Sequence, residues 1–72
     1  MEVIVDERTL PIYLQKDIKA WVEGKKNKVK HLDCLWGELY GSINSAQHDY
    51  EISVETANYL REKYLEIEVS NV

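Results

Sequence analysis

The clearest helical pattern of the chain lies in VKHLDCLWGELYGSINSA, residues 29–46. Its apolar side chains recur at spacings of three, three, one, three, four and three, at Val29, Leu32, Leu35, Trp36, Leu39, Ile43 and Ala46. Since an α-helix turns once every 3.6 residues or so, these side chains lie on one side of a helix. The stretch predicts a helix over residues 29–46 that packs against a core through that side.

Two glycines, Gly37 and Gly41, fall inside this predicted helix. Each costs about 1 kcal/mol relative to alanine in a helix interior, so both need a reason. Because residues four apart lie on one helical face, the pair would let another helix or chain approach closely. The alternative is a helix that bends or stops near Gly41; we expect one continuous helix.

Two further helices are predicted, one on each side of the central one. Residues 10–23 have helical periodicity, with Thr9 as an N-cap and Gly24 well placed to end the helix. Residues 53–65 begin at Ser53, which is a second N-cap candidate. We expect the second and third helices to form a hairpin, with the first helix laid across it.

Both ends of the chain carry strand-like patterns. Residues 3–5 are Val-Ile-Val, and residues 66–70 continue an alternation of apolar and polar side chains that begins at Leu65. These segments predict two short strands that pair as a small ribbon; alternatively, residues 66–72 extend the last helix or fray. The predicted fold is mainly α, with a three-helix core, in a single small domain over residues 1–72.

Length and composition narrow the class of protein. At 72 residues, burial of apolar surface and the entropy of ordering the chain nearly balance, so a second copy or a partner would add stability. The single cysteine, Cys34, excludes an intramolecular disulfide. The N-terminal residues have no secretory pattern, and no apolar run approaches a membrane span. We therefore expect a cytoplasmic protein with no membrane partner.

Charge is unevenly distributed along the chain, whose net charge is −4. Residues 1–31 carry seven basic and five acidic side chains, whereas residues 32–72 carry two and eight. The basic excess is concentrated in one short segment, at Lys25, Lys26, Lys28 and Lys30. This segment is a candidate for contact with the phosphates of a nucleic acid, although the acidity of the whole chain repels a polyanion at long range.

Catalytic and metal-binding patterns are absent from the sequence. Cys34 and His31 lie three residues apart and would share a helical face, but no third residue is placed to orient the histidine. Oxygen and nitrogen donors near His48 have no recognised ligand spacing. We predict no enzyme activity, no metal site and no cofactor.

Every aromatic side chain of this protein has a polar atom, since it has two tryptophans, five tyrosines and no phenylalanine. Trp21 and Trp36 lie on apolar stripes and are predicted to be core. Four tyrosines lie off the stripes or at their margins and are predicted to be exposed: Tyr13, Tyr40, Tyr50 and Tyr59.

An aromatic anchor beside a site of close approach is typical of protein interfaces. The sequence therefore predicts a protein-binding surface on the second helix, made by Gly37, Tyr40, Gly41 and Asn44. The alternative is that Tyr40 caps the core of the hairpin.

LDCLWGELYGSINSA, residues 32–46, and EISVETANYLREKYL, residues 51–65, resemble short uncharacterised proteins of bacterial mobile elements. Leu39-Tyr40 followed by Ile52-Ser53-x-Glu55 is also similar to the short helical hairpin domains called SHOCT. That second resemblance implies a role in oligomerisation or binding, and neither implies a catalytic residue.

Together these patterns predict a small non-catalytic module of a bacterial cytoplasm that binds another protein or associates with itself as a homodimer. The alternative is a nucleic-acid-binding accessory protein that uses Lys25, Lys26, Lys28 and Lys30.

Overall fold

The computed structural model describes residues 5–67 as a bundle of three α-helices preceded by one turn of 3-10 helix. The 3-10 helix covers Glu7–Thr9, and the α-helices are α1 (Ile12–Asn27), α2 (Leu32–His48) and α3 (Val54–Leu65). The predicted mainly α fold with three helices is confirmed. No helix within residues 5–67 combines the length and hydropathy that crossing a membrane requires.

The start of α1 differs from the prediction that Thr9 caps it. Asp6 instead caps the 3-10 helix, because its carboxylate accepts a hydrogen bond from the backbone N–H of Arg8 at 3.0 Å. The hydroxyl of Thr9 donates to the carbonyl of Asp6 at 2.7 Å. Pro11 occupies the N-cap position of α1, where its missing N–H leaves no donor unpaired.

The end of α1 also differs from the prediction, because Gly24 does not terminate the helix. The helix continues to Asn27, and the next residue, Lys28, has the left-handed backbone (φ 53°) typical of a helix C-terminus. Gly24 is buried, and a Cβ atom there would stand 2.5 Å from Cδ1 of Leu35. The glycine therefore serves the contact between α1 and α2.

The second and third helices follow the sequence more closely. The prediction that α2 is continuous through Gly37 and Gly41 is confirmed, although the helix begins at Leu32 instead of residue 29. Ser53 caps α3 as predicted, because its hydroxyl oxygen accepts a hydrogen bond from the backbone N–H of Thr56 at 3.1 Å.

One core joins the three helices and the turn before α1. Its buried side chains are Leu10, Leu14, Ile18, Trp21, Leu39, Ile43, Ala46, Ala57, Leu60 and Leu65. Trp21 is buried as predicted and its indole N–H donates to the carbonyl of Tyr64 at 2.7 Å, whereas Trp36 is half-buried against the same core. The predicted contact between α2 and α3 is present, and the contact between α1 and α2 is more extensive.

The predicted ribbon is not supported by the described part of the two ends. Val5 lies outside any strand. Helix α3 ends at Leu65, and the left-handed backbone of the next residue, Glu66 (φ 56°), interrupts the extended alternation of the sequence. The N–H of Ile67 turns back to the carbonyl of Arg61 at 3.2 Å, a bond that closes a helix end. Residues 3–4 and 68–70 of the predicted strands lie outside the described residues.

Candidate functional site

The two sides of α2 differ in burial and in side-chain size. Its inner side places Leu39, Ile43 and Ala46 in the core with no exposed surface. Its outer side presents Gly37 and Gly41, both exposed, and nothing else in the described chain lies within 4 Å of where a Cβ atom would stand on either. We call Gly37 and Gly41, with the exposed Ser45 one turn further on, the glycine face.

A shallow open groove of about 410 Å³ runs between the glycine face and α1. The α1 residues Tyr13 and Asp17 line it, and α2 contributes Gly37, Glu38, Gly41, Ser42 and Ser45. Of the residues that the structure describes, two carboxylates and no cationic side chain line this groove, so its electrostatic potential favours a positively charged ligand.

The wall of the groove on the α1 side is fastened by two hydrogen bonds. The hydroxyl of Tyr13 donates to Oε1 of Glu51 at 2.9 Å, and the hydroxyl of Ser42 donates to the carboxylate of Asp17. Burial, the hydrogen bond to Glu51 and the nearby carboxylates of Glu51 and Asp49 raise the pKa of Tyr13 above its usual value. Tyr13 therefore stays a neutral donor at physiological pH.

Tyr40 and Asn44 do not line this groove. Tyr40 is 38% exposed and stacks on Trp36, with the ring centroids 5.1 Å apart and the planes 15° from parallel. The side-chain oxygen of Asn44 accepts a hydrogen bond from Arg61 of α3. The structure thus places Gly37 and Gly41 together, with Tyr40 beside them on the α3 side. The amide of Asn44 instead contributes to the contact between α2 and α3.

Sequence reasoning missed the contribution of α1 to this surface. Tyr13 was predicted to be exposed, and it is, at 39%. Its position beside Gly41 depends on how α1 packs on α2, which no local pattern reports. The four-residue spacing of the glycines was the one signal that pointed to the site.

The four lysines predicted to contact nucleic acid are all exposed and lie around the connection between α1 and α2. We call Lys25, Lys26, Lys28 and Lys30 the lysine turn. None of them forms an ion pair with another described residue, although Nζ of Lys25 lies 5.4 Å from the ring centroid of Trp21. Lys25 and Lys26 also suit the negative end of the α1 dipole. Contact with nucleic acid through the lysine turn stays a prediction.

A cluster around Glu7 was not foreseen from the sequence. One carboxylate oxygen of Glu7 accepts from Nζ of Lys63 at 2.6 Å and from the hydroxyl of Tyr59 at 3.4 Å, and the other accepts from the hydroxyl of Tyr64. Tyr59 is consequently half-buried, not exposed as predicted. Partners more than fifty residues apart in sequence give no local signal, so only the fold reveals that Glu7 fastens the 3-10 helix to α3.

The Glu7 cluster shifts the pKa values of its members. Burial raises the pKa of Glu7, but hydrogen bonds from Lys63 and Tyr64 and the charge of Lys63 outweigh it and hold that pKa below the usual value. The hydrogen bond to Glu7 raises the pKa of Lys63. Burial, followed by the hydrogen bond to Glu7, raises the pKa of Tyr64. All three shifts keep the carboxylate charged and the donors protonated at neutral pH.

No family model matches this chain. The comparisons also found no similar curated protein and no similar solved structure. The resemblances of residues 32–46 and 51–65 therefore remain predictions, and function has to be argued from the geometry of the fold.

The residues considered for chemistry are spread over the surface. Cys34 is a free cysteine exposed on the outer side of α2. Across the described range no three His, Cys, Asp or Glu side chains are grouped as metal ligands. The exposed thiol is useful as a probe, because it lies one helical turn before Gly37.

Proposed function

We propose that this protein is a small non-catalytic module that binds another protein chain through the glycine face of α2. The observation that supports the proposal most strongly is the open space at Gly37 and Gly41. Gly24 has a structural reason in its contact with Leu35, whereas nothing in the described chain requires glycine at the other two positions. Two such residues inside a helix lower the stability of the fold by about 2 kcal/mol relative to alanine. A contact with something outside the described chain would account for them.

The glycine face allows a partner to come close to the backbone of α2. At Gly37 and Gly41 the α2 backbone is uncovered, so a second helix can approach it more closely than side chains elsewhere allow. Close helix pairs bring Cα–H groups against backbone carbonyls and increase the area of van der Waals contact. Tyr13 on one side and Tyr40 on the other supply partly exposed aromatic rings, which often anchor protein interfaces.

Charge favours a different protein over a second copy at this face. Asp17 and Glu38 line the groove, and a symmetric pairing of two such faces would bring like charges together. A helix with small residues at its centre and lysine or arginine at its flanks matches both the shape and the charge. We therefore propose a cationic helix as the ligand, with a homodimer as the competing outcome.

Gly41→Leu is the most direct test, because it fills the open space while keeping a good helix former in α2. Asn27→Leu is the matched control, since it adds the same side chain to an exposed helical position without changing the charge. Affinity capture from cells should recover a protein ligand with the native chain and with Asn27→Leu. Capture with Gly41→Leu should lose that ligand, because the added side chain fills the space that the ligand needs.

The exposed Cys34 provides an independent readout. When the glycine face is covered, the rate at which the thiol reacts with a maleimide should fall several-fold. If Gly41→Leu captures the same proteins as the native chain and leaves its self-association unchanged, the proposal is wrong. If Gly41→Leu instead abolishes a dimer, the ligand is a second copy.

A further inference from the structure

The connection between α2 and α3 contains a residue that its backbone does not favour. Tyr50 has φ 60°, in the left-handed region where glycine is the usual residue. Its N–H donates to the carbonyl of Gln47, and the following N–H of Glu51 donates to Ala46, so the turn rests on bonds that glycine would also make. The tyrosine ring is 93% exposed and gains almost nothing from its own chain. Lys28 and Glu66 have the same left-handed backbone at helix ends, so what sets Tyr50 apart is its exposed aromatic ring, which is available for a contact outside the molecule.

The surroundings of Tyr50 are acidic. Asp49 and Glu51 flank it in the turn, and Glu55 lies in the first turn of α3; all three are exposed. We call these four residues the Tyr50 end. An aromatic face among carboxylates suits a cationic partner, since an ammonium group can lie over the ring while its neighbours pair with the acids.

The same chain carries a matching surface at its other end. The lysine turn precedes the first residue of α2, and the Tyr50 end follows its last residue. The 17 residues of α2 separate the two by about 25 Å, so they do not meet within one molecule. We propose that the lysine turn of one copy binds the Tyr50 end of a second copy, head to tail.

Local charge decides this pairing in spite of the net charge of −4 on each copy. In the proposed contact the lysines pair with Asp49 and Glu55, and with Glu51, whose carboxylate also accepts the hydroxyl of Tyr13. Repulsion between the remaining charges is screened over about 8 Å at physiological ionic strength. A polyanion such as DNA would use the lysine turn but leave Tyr50 without a role. Since the contact joins two different surfaces, each pair retains one unpaired surface of each kind and can add further copies.

Charge exchange provides the main test, by sedimentation equilibrium of the full chain at about 1 mM protein and about 50 mM salt. The native chain should gain mass with concentration and lose this association at about 500 mM salt. A chain with Lys28→Glu and Lys30→Glu should stay monomeric, and so should a chain with Asp49→Lys and Glu55→Lys. An equimolar mixture of the two should associate again, because each supplies the surface that the other needs.

Tyr50→Gly separates the interface from folding. Glycine relieves the left-handed strain, so this variant should melt at a higher temperature than the native chain and yet associate about tenfold more weakly, as expected for the loss of an aromatic anchor. Glu66→Gly is the control, because it relieves the same backbone geometry at the end of α3 and should leave association unchanged.

Three outcomes would overturn the head-to-tail contact: a native chain that is monomeric at about 1 mM, a charge-exchanged mixture that stays monomeric, or a Tyr50→Gly variant that associates like the native chain. A monomeric native chain that binds a DNA duplex would assign the lysine turn to nucleic acid. Gly41→Leu should not affect the head-to-tail contact. Failure of the head-to-tail proposal can therefore be distinguished from failure of the glycine-face proposal.

Discussion

Gly24 and the pair Gly37 and Gly41 occupy helix interiors in the same small bundle, but their surroundings differ completely. At Gly24 a Cβ atom would stand 2.5 Å from Leu35 and 3.3 Å from Val29, whereas at the other two positions it would meet nothing within 4 Å. One glycine lets α1 and α2 approach each other, and the other two leave the outer side of α2 uncovered by the described chain. The same residue type thus marks an occupied contact in one region and an available one in another.

Gly24→Leu should produce the largest effect of the changes that probe this comparison. The added side chain has to displace Leu35 and Val29 from the α1–α2 contact, and overpacking of this kind destabilises by about 1–3 kcal/mol. Chemical denaturation measures the change in the free energy of unfolding. Gly37→Leu is the matched control, and equal destabilisation by both variants would show that the difference between the two sites is not real.

Gly37→Ala combined with Gly41→Ala should have the opposite sign. Alanine costs less than glycine in a helix interior, and both positions have room for a methyl group, so the free energy of unfolding should rise by about 1–2 kcal/mol. Binding at the glycine face should weaken at the same time, because the two methyl groups hold a partner further away. A destabilised double variant would mean that something in the chain already covers this face.

Lys28→Gly places a glycine at a position where the left-handed backbone, and not a close neighbour, favours that residue. Lys28 ends α1 in the left-handed region, so the change should raise the free energy of unfolding by about 0.5–1 kcal/mol. The thermal melting midpoint is the measurement, and Lys26→Gly, inside the last turn of α1, is the control that should lower it. The reverse order would indicate that the left-handed backbone at Lys28 is not a source of strain.

The smallest expected effect concerns the Glu7 cluster, where charge and not shape provides the contact. Because the folded protein holds the pKa of Glu7 below its ordinary value of 4.5, the ionised carboxylate stabilises the fold above that pH. This contribution should disappear as the pH falls from 4.5 through the lower folded-state pKa, and it should amount to under about 1 kcal/mol for a partly exposed pair.

Glu7→Gln tests that assignment. The variant should unfold more easily than the native chain at pH 7, and the two should converge in stability at low pH, where the native carboxylate is protonated. Urea titrations at a series of pH values measure this difference. A constant difference at every pH would mean that Glu7 acts through packing and not through its charge.

Much of the fold was predictable because its signals are local. The periodicity of residues 29–46 and the cap at Ser53 depend on neighbours within one or two helical turns. The prediction for Gly24 failed because a glycine near the end of an apolar stripe looks like a terminator, and its true reason, Leu35, belongs to the next helix. The ribbon failed at Glu66, where a left-handed residue ends α3.

Only the local part of the candidate site could be predicted from the sequence. Four-residue spacing was enough to place Gly37 and Gly41 on one face. It was not enough to show that Asn44 is held by Arg61, or that Tyr13 of α1 lines the groove beside them. The unusual backbone of Tyr50 also had no sequence signal, since tyrosine is not a residue that marks a left-handed turn.

The sequence by itself determined three amphipathic helices, the common face of Gly37 and Gly41, and the separation of charge between the two halves of the chain. These properties follow from residue type and the helical repeat. Only the tertiary structure decided that Gly24 is covered while Gly37 and Gly41 are open, and that Glu7 joins α3. Such contacts depend on which helical faces meet, and that choice rests on the combined packing of all three helices instead of on any single segment.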